Sequence, residues 1–320
     1  MVDAVFLFPG QGAQAPGMAM DLFEASKGVR DLFALASQAT GRDMEDLLRS
    51  ADADTLKRTD ISQSAITLAN LSAALVLRER GVELLGCAGF SLGEYAAMAT
   101  AGVVSVGDVF ALVAARGKAM QKAADRIAAA GSDGAPGMAA VLGLAPEKVE
   151  ALISEWTVAG LSGLYAANFN SPTQVVVAGT AAALAEAETR FKEAGAKRVI
   201  RLKVAGPFHS PLVAEAAEEF APMLAAVTFT APRLPLFSNV SGTLVQSGAD
   251  AKKLALKQIT EPVRWSAEEA AIAALKPAFA LETGPGKVLQ GLWKDSGSPA
   301  PCLLSGTLAD IEAAVAAMKN

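Results

Sequence analysis

Histidine is almost missing from this chain: His209 is the only one in 320 residues. Cysteine occurs twice, as Cys87 and Cys302, with no Cys-x-x-Cys spacing and no second histidine beside either. Neither a zinc cluster nor a disulfide framework can organise such a chain, and two lone thiols fit a reducing cytoplasm. Positive charge is not in excess either. The 28 Lys and Arg are outnumbered by 33 Asp and Glu, a formal net charge of −5, so the general basic field that drives sequence-independent nucleic-acid binding is lacking. No apolar run reaches the length of roughly 18 residues that a membrane span needs. The most apolar long window, 96–115, is broken by Gly102, Gly107 and Asp108. The opening MVDAVFLFPG carries Asp3 where a secretory leader has basic residues, and Pro9-Gly10 closes its short apolar run, so it reads as a buried strand. The expectation is a soluble cytoplasmic protein without membrane or nucleic-acid partners.

What is present is apolar mass: 52% of residues are hydrophobic and 19% charged, enough for a large core. Val5–Phe8 reads as a strand, followed by a Gly/Pro-rich loop and helix from Met20 towards Thr40. Ser62–Arg80 has apolar residues at helical spacing and stops at Gly81; Leu84–Phe90 is a second buried strand, and a helix restarts at Leu92 with Glu94 in its first turn. Alternating strands and helices predict an α/β core with a mainly parallel sheet. Beyond the Gly/Ser-rich segment Ala130–Gly137 the order changes to βαββαβ: MAAVLGL, PEKVEALISEW, LYAANF, TQVVVAG, Ala181–Ala194 and Arg198–Val204. That is a ferredoxin-like pattern, so 133–204 is read as a small domain inserted into an α/β unit made of 1–132 and 205–320. After Gly206 come a helix at Pro211–Ala225, a strand-like LPLFSNV, a helix at Ser266–Leu275, the strand AFALET and a final helix from Leu308.

The motif Gly89-Phe90-Ser91-Leu92-Gly93 lies at a strand-to-helix junction. Glycines on both sides permit a sharp turn that pushes the serine hydroxyl out at the carboxyl edge of a sheet, where it can act as a nucleophile; the competing reading is an ordinary serine in a tight turn. The Leu92 N–H, at the start of a helix, can serve one half of an oxyanion hole. His209 falls in the loop AGPFHSP after a predicted strand, and a neutral imidazole there can take and return the serine proton near pH 7. Gly10-x-Gly12-x-x-Ala15 imitates a dinucleotide fingerprint, but the region that should hold the second strand is helical. GPGK at 284–287 lacks the full phosphate-loop spacing and reads as a backbone turn. Arg116 sits on a largely apolar helix. It can be solvated, paired with Asp108, or aimed at a substrate carboxylate, and spacing does not choose.

FPGQGAQ, GFSLGEYAAM, ARGKAM, YAANFNSPTQVVVAG, AGPFHSPL, QITEPVRW and ETGPGKVL form an ordered series through nearly the whole chain. That series resembles the malonyl-CoA:acyl carrier protein transacylases. The resemblance implies a hydrolase-like α/β fold with a ferredoxin-like insertion, with Ser91 as nucleophile and His209 as general base. It implies an oxyanion hole from the backbone N–H groups of Gln11 and Leu92, Arg116 on the malonyl carboxylate, Gln63 lining the site, and a backbone carbonyl of Gln258 orienting the histidine. The substrates implied are malonyl-CoA and an acyl carrier protein, with neither metal nor cofactor and a monomeric chain. Phe90 replaces the histidine that usually precedes the nucleophile, which puts acyl selectivity at stake. Phe208 matches the residue that narrows the pocket, favouring malonyl over methylmalonyl. Lys197, Arg198, Arg201 and Lys203 are candidates for docking the acidic carrier, or equally for protecting a strand edge. Rival readings are a transferase for another extender unit, a serine thioesterase, and a catalytically silent carrier-binding scaffold.

Overall fold

The computed structural model describes residues 3–130 and 134–319. The middle of the Gly/Ser-rich segment, and with it the boundary expected near 132, lies outside the described residues. Among the described residues, eight strands fall into two sheets. In the first, β1 (Asp3–Phe8) is central, flanked by β2 (Glu83–Gly89) and β7 (Phe279–Glu282), with β8 (Cys302–Leu304) outside β7, all parallel. Residues 4–8 of β1 are all buried, as an unbroken apolar run in a sheet covered on both faces requires. The second sheet is antiparallel in the order β4-β5-β3-β6, with β3 Gly137–Leu142, β4 Leu164–Ser171, β5 Gln174–Gly179 and β6 Arg198–Arg201. Helices Pro146–Val158 and Ala181–Glu193 pack on it around a core of its own that includes Val149, Trp156, Val177 and Phe191.

Met138, Ala140, Ala167, Val176 and Ala178, on one face of the small sheet, pack into the main core, and one segment adds backbone hydrogen bonds. Phe169 N–H donates to Val263 O at 2.8 Å and Val263 N–H to Ala167 O at 2.9 Å, a short parallel bridge between β4 and the main unit. The helix Thr59–Glu79 is the one described helix long and apolar enough to cross a membrane, but 89% of its apolar window is buried within the molecule, where it packs against the long helix Val106–Ala130.

Three expectations need correction. The helix from Met20 to Thr40 is two helices, Met20–Ala25 and Lys27–Thr40, because Ser26 adopts an extended backbone and its hydroxyl accepts the Val29 N–H at 3.3 Å as an N-cap. LPLFSNV does not form a strand. It runs beside β2, making only the isolated bridges Cys87–Leu236 and Phe237–Leu244, and Pro235 has no N–H with which to extend a ladder. The strand expected at Arg198–Val204 ends at Arg201, and residues 202–205 turn away to line a cleft.

Candidate active site

The chain leaves β2 at Gly89, turns at Ser91 and enters the helix Gly93–Thr100. The turn is tight because Gly89 and Gly93 face one another. A Cβ on Gly89 would lie 2.0 Å from the Gly93 carbonyl carbon, and one on Gly93 would lie 2.0 Å from Phe8 O. Ser91 itself carries the strain, with φ 49° in the left-handed region. Its N–H donates to Asn239 Oδ1 at 2.6 Å and its carbonyl accepts from Gln258 Nε2 at 2.9 Å, so the strained backbone is pinned from both sides.

His209 also has a left-handed backbone, φ 57°, and is 4% exposed. Its Nε2 lies 2.8 Å from Ser91 Oγ and its Nδ1 2.7 Å from Gln258 O. A carbonyl can only accept, so Nδ1 carries the proton and the Nε2 lone pair is left for the serine hydroxyl. Burial, and then the Arg116 charge, push the imidazole pKa down to about 4 against the raising effect of the Gln258 carbonyl. At neutral pH the ring is therefore an uncharged acceptor aimed at a hydroxyl.

The first Gly-rich loop closes over this pair. A Cβ on Gly10 would stand 2.3 Å from Phe90 O and 3.6 Å from Leu92 N, so only glycine lets the loop come this close to the serine turn. Among the described residues, no protein acceptor meets the N–H of Gln11 or of Leu92. Two free donors beside a serine, one at a helix start, suit a developing oxyanion.

Arg116 is 1% exposed and neither solvated nor paired with Asp108, which accepts from Ser105 instead. Its Nη1 donates to Gln63 Oε1 at 2.9 Å, its Nη2 to Gln258 Oε1 at 3.0 Å, its guanidinium lies 5.4 Å from the Tyr95 ring centre, and its Nε has no partner. Among the described residues no carboxylate pairs with it directly, so it is a buried cation held by amides, facing the same cleft as Ser91 and His209. That cleft has a volume of about 250 Å³ and lies between the two sheets: Met138, Ala140 and Val176 of the small sheet face Phe90, Met120 and Phe208 of the main unit. Phe90 packs edge-on against Trp265, ring centres 5.4 Å apart. Lys57 and Lys203 also line the cleft.

Such a site can exchange an acyl group through a serine ester and grip a negatively charged acyl chain. The acyl transferase domain model matches residues 5–307. The malonyl CoA-acyl carrier protein transacylase of Escherichia coli strain K12 is 37% identical over 295 residues, 92% of this chain and 93% of that protein. The chain belongs to the malonyl-CoA:acyl carrier protein transacylase family. Within that family it is similar to the crystal structure of the Xanthomonas oryzae member, with 35% identity, a TM-score of 0.89 and 99% of each chain covered. It is likewise similar to a malonyl-transacylase solved in complex with a type II PKS acyl-carrier protein, with 33% identity, a TM-score of 0.89, and 99% of this chain and 100% of that one covered. The family's α/β architecture, a parallel sheet beside a small antiparallel one, is the architecture of this chain.

One site expectation shifts within this family frame. Gln63 does not line the cleft; it is fully buried behind Arg116, accepting from it and donating to Met120 Sδ at 3.3 Å. Three polar residues hold this site in roles the sequence did not show, Glu94 having been read only as a first-turn acid. Asn239 donates to Gly89 O at 2.7 Å and to Glu268 Oε1 at 2.8 Å while accepting from Ser91; Glu94 accepts from the Gln258 amide. Burial pushes the Glu94 pKa up to about 7 and that of Glu268 well above the ordinary range. A polar Ser238-Asn239 at the end of an apolar run and a glutamate on an otherwise apolar helix were the only available signals. Among the described residues no cluster of three His, Cys, Asp or Glu could hold a metal.

Proposed function

We propose that this protein transfers a malonyl group from malonyl-CoA to the phosphopantetheine thiol of an acyl carrier protein, supplying fatty acid or polyketide synthesis. The observation that carries the reading is a serine-histidine pair 2.8 Å apart in one cleft with a buried arginine that, among the described residues, no carboxylate pairs with directly. The Ser91 hydroxyl gives its proton to His209 Nε2 as the oxygen attacks the thioester carbonyl. The oxyanion is received by the N–H groups of Gln11 and Leu92. Collapse expels the CoA thiolate, which takes the proton from His209, and leaves O-malonyl-Ser91. The carrier thiol then gives its proton to the same nitrogen and attacks the ester, and the proton returns to Ser91 Oγ. Donor and product are both thioesters at one oxidation level, so the exchange asks for neither a redox cofactor nor a metal.

Arg116 takes the free carboxylate of the malonyl group in this reading, and its grip favours a pose that shelters the ester from water. Phe208, 5% exposed beside His209, narrows the acyl pocket against a methyl branch. Gln258 orients His209 through its backbone carbonyl, a neutral partner that leaves the imidazole less cationic than an aspartate would. One chain supplies every group named, so a monomer suffices. Exposed Lys197, Arg198, Arg201 and Lys203, the last at the cleft, suit docking of an acidic carrier. We further assign 133–204 as an inserted unit, supported by its separate core.

The test is a transfer assay on one carrier protein with malonyl-, methylmalonyl- and acetyl-CoA. Malonyl transfer above the other two is expected. Free malonate in place of malonyl-carrier would identify a thioesterase, and methylmalonyl as the best donor would overturn the Phe208 assignment.

A further inference from the structure

Beneath Ser91 lies a set of buried polar groups that the transfer reaction does not itself use. The Gln258 side chain, fully buried, is its centre. On one side its Nε2 faces three acceptors, Ser91 O at 2.9 Å, Asn239 Oδ1 at 3.3 Å and the Glu94 carboxyl, the closest of the three. On the other its Oε1 accepts the Arg116 Nη2 at 3.0 Å. The amide cannot be turned over, since that would set a carbonyl against three acceptors and an NH2 against a guanidinium.

Each of those acceptors also takes a second donor, and the one on Glu94 is the weakest, the Asn239 N–H at 3.4 Å from the same Oε2. Asn239 Oδ1 takes the Ser91 N–H at 2.6 Å, and Ser91 O also takes the Glu94 N–H at 3.1 Å. The Glu94 carboxyl, closest to the amide and with the weakest competing donor, is the group that chiefly anchors it. Among the described residues Arg116 has two hydrogen-bond partners, Gln63 and Gln258, beside the face of Tyr95, so the pose of its guanidinium depends on where the Gln258 carbonyl oxygen is held. The chain runs from Glu94 to the Gln258 amide to Arg116 without a break.

We infer that Glu94 is a positioning residue for acyl-group selection: it anchors the Gln258 amide so that Arg116 is held ready for a carboxylated acyl chain. The inference rests on the malonyl reading above and adds a residue that touches neither substrate nor the reacting atoms. It also explains an acid at 94, on a helix whose residues 93–98 are all buried, where an apolar side chain would pack without desolvating a carboxyl. What the anchor needs is an acceptor, not a charge, so glutamine at this position keeps the function and leucine removes it.

The experiment measures kcat/KM for malonyl-CoA and acetyl-CoA, by carrier acylation, in the full chain and in Glu94→Leu, Glu94→Gln and Arg116→Ala. The Glu94→Leu variant is expected to lower the malonyl-to-acetyl ratio by about tenfold or more, chiefly through KM for malonyl-CoA, while acetyl transfer stays within about threefold. Glu94→Gln is expected to hold the ratio within about threefold of the parent. An unchanged ratio in Glu94→Leu, or equal losses for both donors, overturns the inference, as does a glutamine variant that behaves like leucine. If Glu94→Leu does not fold, Gln258→Met, which keeps the backbone carbonyl for His209, must lower the ratio instead, and an unchanged ratio there overturns the inference. Arg116→Ala separates the two levels: if it too leaves the ratio unchanged, the malonyl reading fails; if it collapses the ratio while Glu94→Leu does not, only the role of Glu94 fails.

Discussion

Ser91 and His209 each sit in left-handed backbone and each is tied to Gln258, the serine through the side-chain amide and the histidine through the main-chain carbonyl. Because burial holds the His209 pKa near 4, the basic form persists well below the ordinary value of 6.5. Malonylation of Ser91, followed by rapid quenching and intact mass, is expected to keep its rate from pH 8 to pH 5 and to fall towards pH 4; a midpoint near 6.5 would contradict the buried neutral imidazole. The sign for stability is the same: the unfolded chain binds a proton near 6.5 that the folded ring refuses until about 4, so stability is lost as pH falls through that window. Arg116→Ala should cost malonyl transfer about 3 kcal/mol or more, in the range of a broken buried ion pair, and spare acetyl groups; equal losses for both donors would remove Arg116 from acyl recognition. Phe208→Ala should raise methylmalonyl transfer relative to malonyl by about tenfold, the scale of one methyl group in an apolar pocket; an unchanged ratio would take Phe208 out of extender choice. The elbow serine and the lone histidine are visible in the sequence because their neighbours are glycine and proline. Arg116 was not decidable, since spacing along a helix does not say what the next helix offers. The roles of Asn239, Glu94 and Glu268 were invisible, because their burial is a tertiary fact.

Helices and strands with a strong period, such as Thr59–Glu79 and β1, follow from local pattern. The helices Gly248–Lys257 and Val288–Asp295 were not read from it. LPLFSNV looked like a strand because apolar content was legible and the lack of a ladder partner was not. The Gly-rich loop after β1 is the element whose conformation matters most, since it brings Gln11 over the serine turn. Gly10→Ala should destabilise the fold by about 1–3 kcal/mol through overpacking against Phe90 O. Acylation should fall by about a hundredfold or more as one oxyanion donor is displaced. A melting temperature and acylation rate equal to the parent would refute the loop's role.

The whole molecule places its cleft between two sheets, the main unit contributing the reacting pair and the cation, the small sheet a wall of Met138, Ala140 and Val176 with Asn168, Asn170 and Gln174. Neither sheet alone makes the site, which is why the alternation of elements could announce the fold while only an ordered series of motifs could announce the chemistry. Charge reversal at Arg201 and Lys203 is expected to raise KM for the carrier several-fold at low salt, with the effect shrinking as salt rises. An unchanged KM at low salt would assign those charges to guarding the edge of β6 instead.

Intact-mass analysis of the protein after brief exposure to malonyl-CoA, before and after adding carrier protein, tests the account most directly. The account predicts one malonyl group on the parent chain, none on Ser91→Ala, and its disappearance from Ser91 as malonyl-carrier forms. A parent chain that never gains the group, or one that loses it only as free malonate, would contradict the account.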